Sequence, residues 1–215
     1  MFIRVFVLVV SVCFHEFGHA FMADRLGDDT PRRQGRLTLN PLSHADPIGT
    51  LALPVASALF AAGGHSVGGF GWGRPVEWQP SRINRKWKMS TAQILVALAG
   101  PSMNIVLAIL LAGTHTILVK TGTIDLFGDV SLIMFYAVGT NFILFFFNLI
   151  PAPPLDGGHV ADGLMPYKHR AAWQNIARFG PFLIILIVIV SPLAKIFTIP
   201  ANFCAVKLHV LMGLL

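Results

Sequence analysis

Residues 2–23 read FIRVFVLVVSVCFHEFGHAFMA. The stretch is apolar over about the 20 residues that a membrane-crossing helix needs. Yet it contains His15, Glu16 and His19. Ionisable groups at that depth cost about 3 kcal/mol each and mark function by default. His15-Glu16-Phe17-Gly18-His19 is an H-E-x-x-H pattern. On a helix, residues four apart share a face, so both imidazoles can reach one ion. Glu16 lies beside the first imidazole and can act as a general base on an attacking water.

The composition sets this stretch in a membrane. The chain has 215 residues, of which 54% are hydrophobic and only 12% charged, and its mean hydropathy is +0.68. Soluble domains carry roughly 25% charged residues. This excludes a disordered chain, a coiled coil and an ordinary water-soluble domain. The two cysteines, Cys13 and Cys204, both sit in apolar runs, so neither a disulfide framework nor a cysteine zinc cluster can be built. The net charge of +6 reads as loop orientation and affinity for anionic lipid, not as nucleic-acid binding. No internal repeat is visible, which argues against a transporter built from two related halves.

Along the chain, 2–23 is the zinc-motif helix and is expected to be the first transmembrane element. Residues 24–47 are polar, 48–63 apolar but short, and 64–90 Gly-rich and then basic. Residues 91–119, 130–155 and 179–199 read as spans, and 200–215 as a short apolar tail. If 48–63 dips in and returns, loops 24–47, 64–90 and 156–178 share one face. That face then holds 12 basic residues and the other only Lys120. Such asymmetry puts the basic face in the cytoplasm. Non-helical backbone is tolerated at that depth when protein covers it.

A catalytic zinc site needs a third protein ligand and an open position. Met22 and Arg25 stand where a metzincin would carry its glycine and histidine. The one other glutamate, Glu77, lies in a Trp/Pro-rich basic loop. Asp156, in NLIPAPPLDGG (148–158), stands where span 130–155 ends. By the charge topology that end faces the same side as His19.

HEFGH at 15–19, AGPSMN at 99–104 and NLIPAPPLDGG at 148–158 resemble the motifs of the site-2 protease family of intramembrane zinc metalloproteases. LGDDTPRRQGRLTLNPLSHADPIGT (26–50) and FGWGRPV (70–76) look like its compact branch, which lacks PDZ and CBS domains. The resemblance implies one zinc ion held by His15, His19 and Asp156, with Glu16 as base and Asn148 acting near the substrate carbonyl. It implies transmembrane protein substrates cleaved within the lipid bilayer, with the active site toward the cytoplasmic side of the cell membrane. Asn148 lies about two helical turns before Asp156 and could donate to a developing oxyanion. Two other functions remain open: a membrane zinc peptidase acting on soluble peptides, and a non-catalytic zinc-binding membrane protein, for which Glu16 would have no use.

The expected fold is therefore an all-α polytopic membrane protein, one peptidase domain over 1–215. It has four to five transmembrane helices, a re-entrant 48–63, and a small β-hairpin or sheet near the active site. GRLTLN (35–40) and FGWGRPVEW (70–78) are the strand candidates, by alternation and β propensity. Gly100-Pro101 is expected to kink the third segment. His159, close to Asp156, could support a ligand; His44 and His65 read as solvated.

Overall fold

The computed structural model describes residues 2–44 and 75–214. Within them the helices are α1 (Phe2–Arg25), α2 (Thr30–Arg33), α3 (Pro41–His44), α4 (Met89–Lys120), α5 (Asp129–Asn148), α6 (Asp156–Leu164), α7 (Arg170–Ala177), α8 (Gly180–Ile189) and α9 (Ser191–Leu211). Four segments are long and apolar enough to cross a membrane: Ile3–Arg25, Met89–Lys120, Asp129–Asn148 and Pro192–Leu211. At 1.5 Å per residue, α4 is about 48 Å long, well beyond the roughly 30 Å hydrocarbon core. It continues as one helix past Gly100 and Pro101, both buried.

Helix α4 is the central element and touches α1, α5, α6 and α9. It runs antiparallel to α1: Ser11 meets Asn104, while Ala23 packs with Ala92 and Val96. On its other flank, Ala108, Ala112, Val138, Phe142, Ala201 and Ala205 make a core shared by α4, α5 and α9. Four of these six are alanines. Apolar helices in lipid gain little from burying apolar surface, so close backbone approach over small residues supplies the contact.

The loops sort to two ends. At one end Asn84 N–H donates to the Leu26 carbonyl at 2.8 Å, and Gln93 of α4 donates to Asp162 of α6 at 3.0 Å. The turn between α4 and α5 lies at the other end, where Lys120 reaches the Met212 carbonyl at 3.1 Å. The segment 48–63, expected to be re-entrant, lies outside the described residues.

No strand is present among the described residues, which corrects the expected hairpin or sheet for 35–40 and 75–78; residues 70–74 lie outside them. GRLTLN curls instead. The Thr38 carbonyl accepts from His44 Nε2 at 2.8 Å. Thr38 Oγ1 accepts from Asn40 N–H at 3.1 Å, and Asn40 Oδ1 from Leu42 N–H at 3.1 Å. The Arg36 guanidinium donates to the Ser43 carbonyl. These local bonds use the backbone groups that a ladder would need. His44 is thus fully buried rather than solvated.

The run read as span 179–199 is divided. Val190 is extended (φ −85°, ψ 92°), and α9 begins at Ser191-Pro192. Proline suits the first turn of a helix, where its missing N–H would have no partner in any case. The last candidate span, Pro192–Leu211, therefore takes in most of what read as an apolar tail.

Candidate metal centre

Helix α1 carries His15 and His19 one turn apart, with ring centroids 4.7 Å from each other. Helix α5 ends at Asn148, and α6 starts at Asp156 itself. The turn between them folds back so tightly that a Cβ on Gly157 would overlap the carbonyls of Leu149 and Ile150. Glycine is what permits this approach, and the turn brings Asp156 against α1. On the α4 side, a Cβ on Gly100 would overlap the His19 ring and crowd that of His15. The two imidazoles occupy the space that a missing side chain leaves.

The ligand-capable atoms form a small triangle. His15 Nε2 and His19 Nε2 are 3.0 Å apart. His15 Nε2 lies 3.1 Å from Asp156 Oδ2, and His19 Nε2 lies 3.3 Å from Asp156 Oδ1. All three side chains are nearly buried, at 10%, 12% and 13% exposure.

The hydrogen bonds on the far side of each ring identify what fills that triangle. His15 Nδ1 meets Asn104 Oδ1 at 2.8 Å, and His19 Nδ1 meets the Val96 carbonyl at 2.7 Å. Both partners accept, so Nδ1 bears the hydrogen on each ring and each neutral Nε2 presents a lone pair. Two lone pairs and a carboxylate therefore converge. Asp156 Oδ2 is buried and accepts no hydrogen bond despite its neighbours. Only a cation satisfies three converging acceptors. A tetrahedral zinc with ligands at 2.0–2.1 Å separates them by about 3.3 Å, close to the observed sides. The residues fit a metal ion.

Glu16 stays outside the triangle. Its Oε2 accepts the Val76 N–H at 2.9 Å, which holds its carboxylate at the wall of a cavity of about 440 Å³. His15, His19, Asp156, Asn148 and His159 also line this cavity. Asn148 donates one amide hydrogen to the Leu144 carbonyl of its own helix at 2.9 Å and has a second to offer. Glu77 is elsewhere, exposed and accepting from Gln34 at 3.2 Å. His44 is bound to Thr38, and His65 lies outside the described residues.

The sequence reading passed over Val76, Ser11 and Asn141, and it read Gly100 only as part of a kink. The polar residues buried in apolar helices carried a signal, because such groups must find partners there. Gly100 carried none that separates a ligand cradle from an ordinary helix contact.

A family model described as Peptidase family M50 matches residues 114–189, a stretch that includes Asn148 and Asp156. YwhC of Bacillus subtilis, named as a zinc metalloprotease, is 36% identical over 197 residues, covering 89% of this chain and 81% of the relative. Rip2 of Mycolicibacterium smegmatis, named likewise, is 35% identical over 197 residues, covering 89% of this chain and 70% of the relative. Rip2 of Mycobacterium tuberculosis (H37Rv) is 37% identical over 174 residues, with 78% and 61% covered. No solved structure matches.

Proposed function

The chain belongs to peptidase family M50, a membership carried by 36% identity over most of a relative's length, and we propose that it hydrolyses peptide bonds in or near the transmembrane segments of membrane-protein substrates. It is a multi-pass membrane protein and a metalloprotease. The finer reading rests on one observation: the converging His15, His19 and Asp156 atoms and the neighbouring Glu16 belong to, or pack against, a helix apolar enough to span.

In this reading His15, His19 and Asp156 hold zinc, which supplies Lewis acidity toward water and the scissile carbonyl. Glu16 takes a proton from the attacking water and returns it to the departing amine. The Val76 N–H keeps the Glu16 carboxylate at the cavity wall. Asn148, through its second amide hydrogen, donates to the oxygen of the carbonyl under attack. Val12, Val96, Leu144 and Phe147 give the cavity apolar walls, which suit an apolar substrate segment and restrict water to the reacting side. The substrate must present its backbone unwound, because a helix hides its carbonyls in its own hydrogen bonds.

The deciding experiment incubates detergent-purified, zinc-loaded protein with a model transmembrane substrate and, in parallel, with soluble peptides. Cleavage of the transmembrane substrate, abolished by chelation, is expected. Cleavage of soluble peptides alone would favour a surface peptidase. Cleavage of neither, with zinc bound, would favour a non-catalytic protein.

The ligand set has its own test. Asp156→Ala is expected to lower zinc occupancy and activity together, while Glu77→Ala changes neither, measured by metal analysis of purified protein. The reverse pattern would move the third ligand to Glu77. Orientation is tested by single cysteines in a background lacking Cys13 and Cys204. Cysteines at positions 43 and 81 are expected to react with an impermeant thiol reagent from the cytoplasmic side, and one at position 125 from the opposite side. Labelling of 43 and 81 from opposite sides would make 48–63 a full crossing.

A further inference from the structure

We propose that Asn104, Asn141 and Ser11 form a positioning relay that sets the tautomer and direction of His15 for the metal; this rests on the zinc reading above. The three residues come from α4, α5 and α1 and are buried to 0%, 0% and 1% exposure. They meet where the three helices touch, on the side of His15 away from the triangle.

The relay has one consistent sense. Ser11 Oγ donates to the Val7 carbonyl at 2.8 Å, so its lone pair is left to accept Asn141 Nδ2–H at 3.0 Å. The other Asn141 amide hydrogen goes to the Ala137 carbonyl at 2.9 Å. With both hydrogens committed, Asn141 offers Oδ1 to Asn104 Nδ2 at 3.0 Å. The second Asn104 hydrogen goes to the Ser11 carbonyl at 3.1 Å. That leaves Asn104 Oδ1 for His15 Nδ1, at 2.8 Å. The carbonyls of Val7, Ser11 and Ala137 can only accept. Flipping either amide would press oxygen against oxygen at a site closed to bulk solvent. The sense therefore propagates from backbone to ring, and His15 carries its hydrogen on Nδ1.

The consequence lies 3 Å away, on the other side of the ring. A His15 hydrogen on Nε2 would point into the triangle and satisfy Asp156 Oδ2, replacing the metal with an internal hydrogen bond. The relay forbids that state, as a single carbonyl, Val96, does for His19. Such outer partners typically contribute about 10- to 100-fold to metal affinity.

The test uses full-length protein in detergent micelles, with zinc affinity read by chelator competition and the His15 tautomer by nitrogen NMR of metal-free protein. Asn104→Leu is expected to weaken zinc about 10- to 100-fold and to shift His15 toward the Nε2–H form. Asn104→Asp keeps an oxygen against His15 Nδ1–H, and is expected to hold the native tautomer and bind zinc more tightly than Asn104→Leu. Asn141→Ala, one step further from the ring, is expected to give a smaller loss and a mixed tautomer, and it carries the test if Asn104→Leu does not fold. An unchanged tautomer with native affinity in folded Asn104→Leu or, failing that, Asn141→Ala overturns the relay, as does an Asn104→Asp protein as weak as Asn104→Leu. His15→Ala separates the two ideas. If it keeps native zinc affinity, the zinc site itself is wrong; if it loses zinc while Asn104→Leu does not, only the relay is.

Discussion

Glu16→Gln protein is expected to bind zinc as tightly as the native chain while turnover falls about 10²- to 10⁴-fold, the usual span for a lost proton-transfer group. The two properties separate because Glu16 lies outside the His15, His19 and Asp156 group. Glutamine is nearly isosteric, and its carbonyl oxygen can still accept the Val76 N–H that now reaches Glu16 Oε2 at 2.9 Å. The cavity wall is therefore preserved and only the basic site disappears. Metal analysis and turnover measured on one preparation decide the matter. Zinc-replete Glu16→Gln protein with near-native turnover would remove the proposed mechanism, leaving the ligand set intact.

Gly100→Ala is expected to be as damaging from a position that bears no functional group. Its Cβ would overlap His19 Nε2 and Cε1, and Nε2 is the atom offered to the metal. His19 would have to swing away, giving up its hydrogen bond to Val96. Losing one of three ligands should weaken zinc by more than about 100-fold, beyond the usual effect of an outer partner. Gly113→Ala supplies the control, because it lies on the same helix with nothing within 4 Å of an added Cβ. Alanine is also the better helix former by about 1 kcal/mol, so helix α4 should lose no intrinsic stability in either variant. Native zinc affinity in Gly100→Ala would mean that the histidine rings do not sit where the cradle puts them.

Much of this molecule is legible one segment at a time. H-E-x-x-H places two imidazoles on one helix face because 3.6 residues per turn is a local property. The span helices follow from apolar runs in the same way. Asp156 was reachable because so few carboxylates stand near an apolar segment that elimination could narrow the choice. The failures share a cause. GRLTLN alternates, but its Thr, Asn and Arg side chains captured nearby backbone groups, so alternation did not become a strand. Residues 179–199 are strongly apolar, and hydropathy cannot show that Ser191-Pro192 starts a new helix. The residue types able to bind metal, and the spacing of the first two, are thus written in the chain. The sides of the triangle, the tautomers of both histidines, the Gly100 cradle and the Asn104–Asn141–Ser11 relay depend on which faces of α1, α4, α5 and α6 meet. That depends on helix rotation and depth, which contacts between residues some 40 to 130 positions apart determine, and no local pattern encodes them.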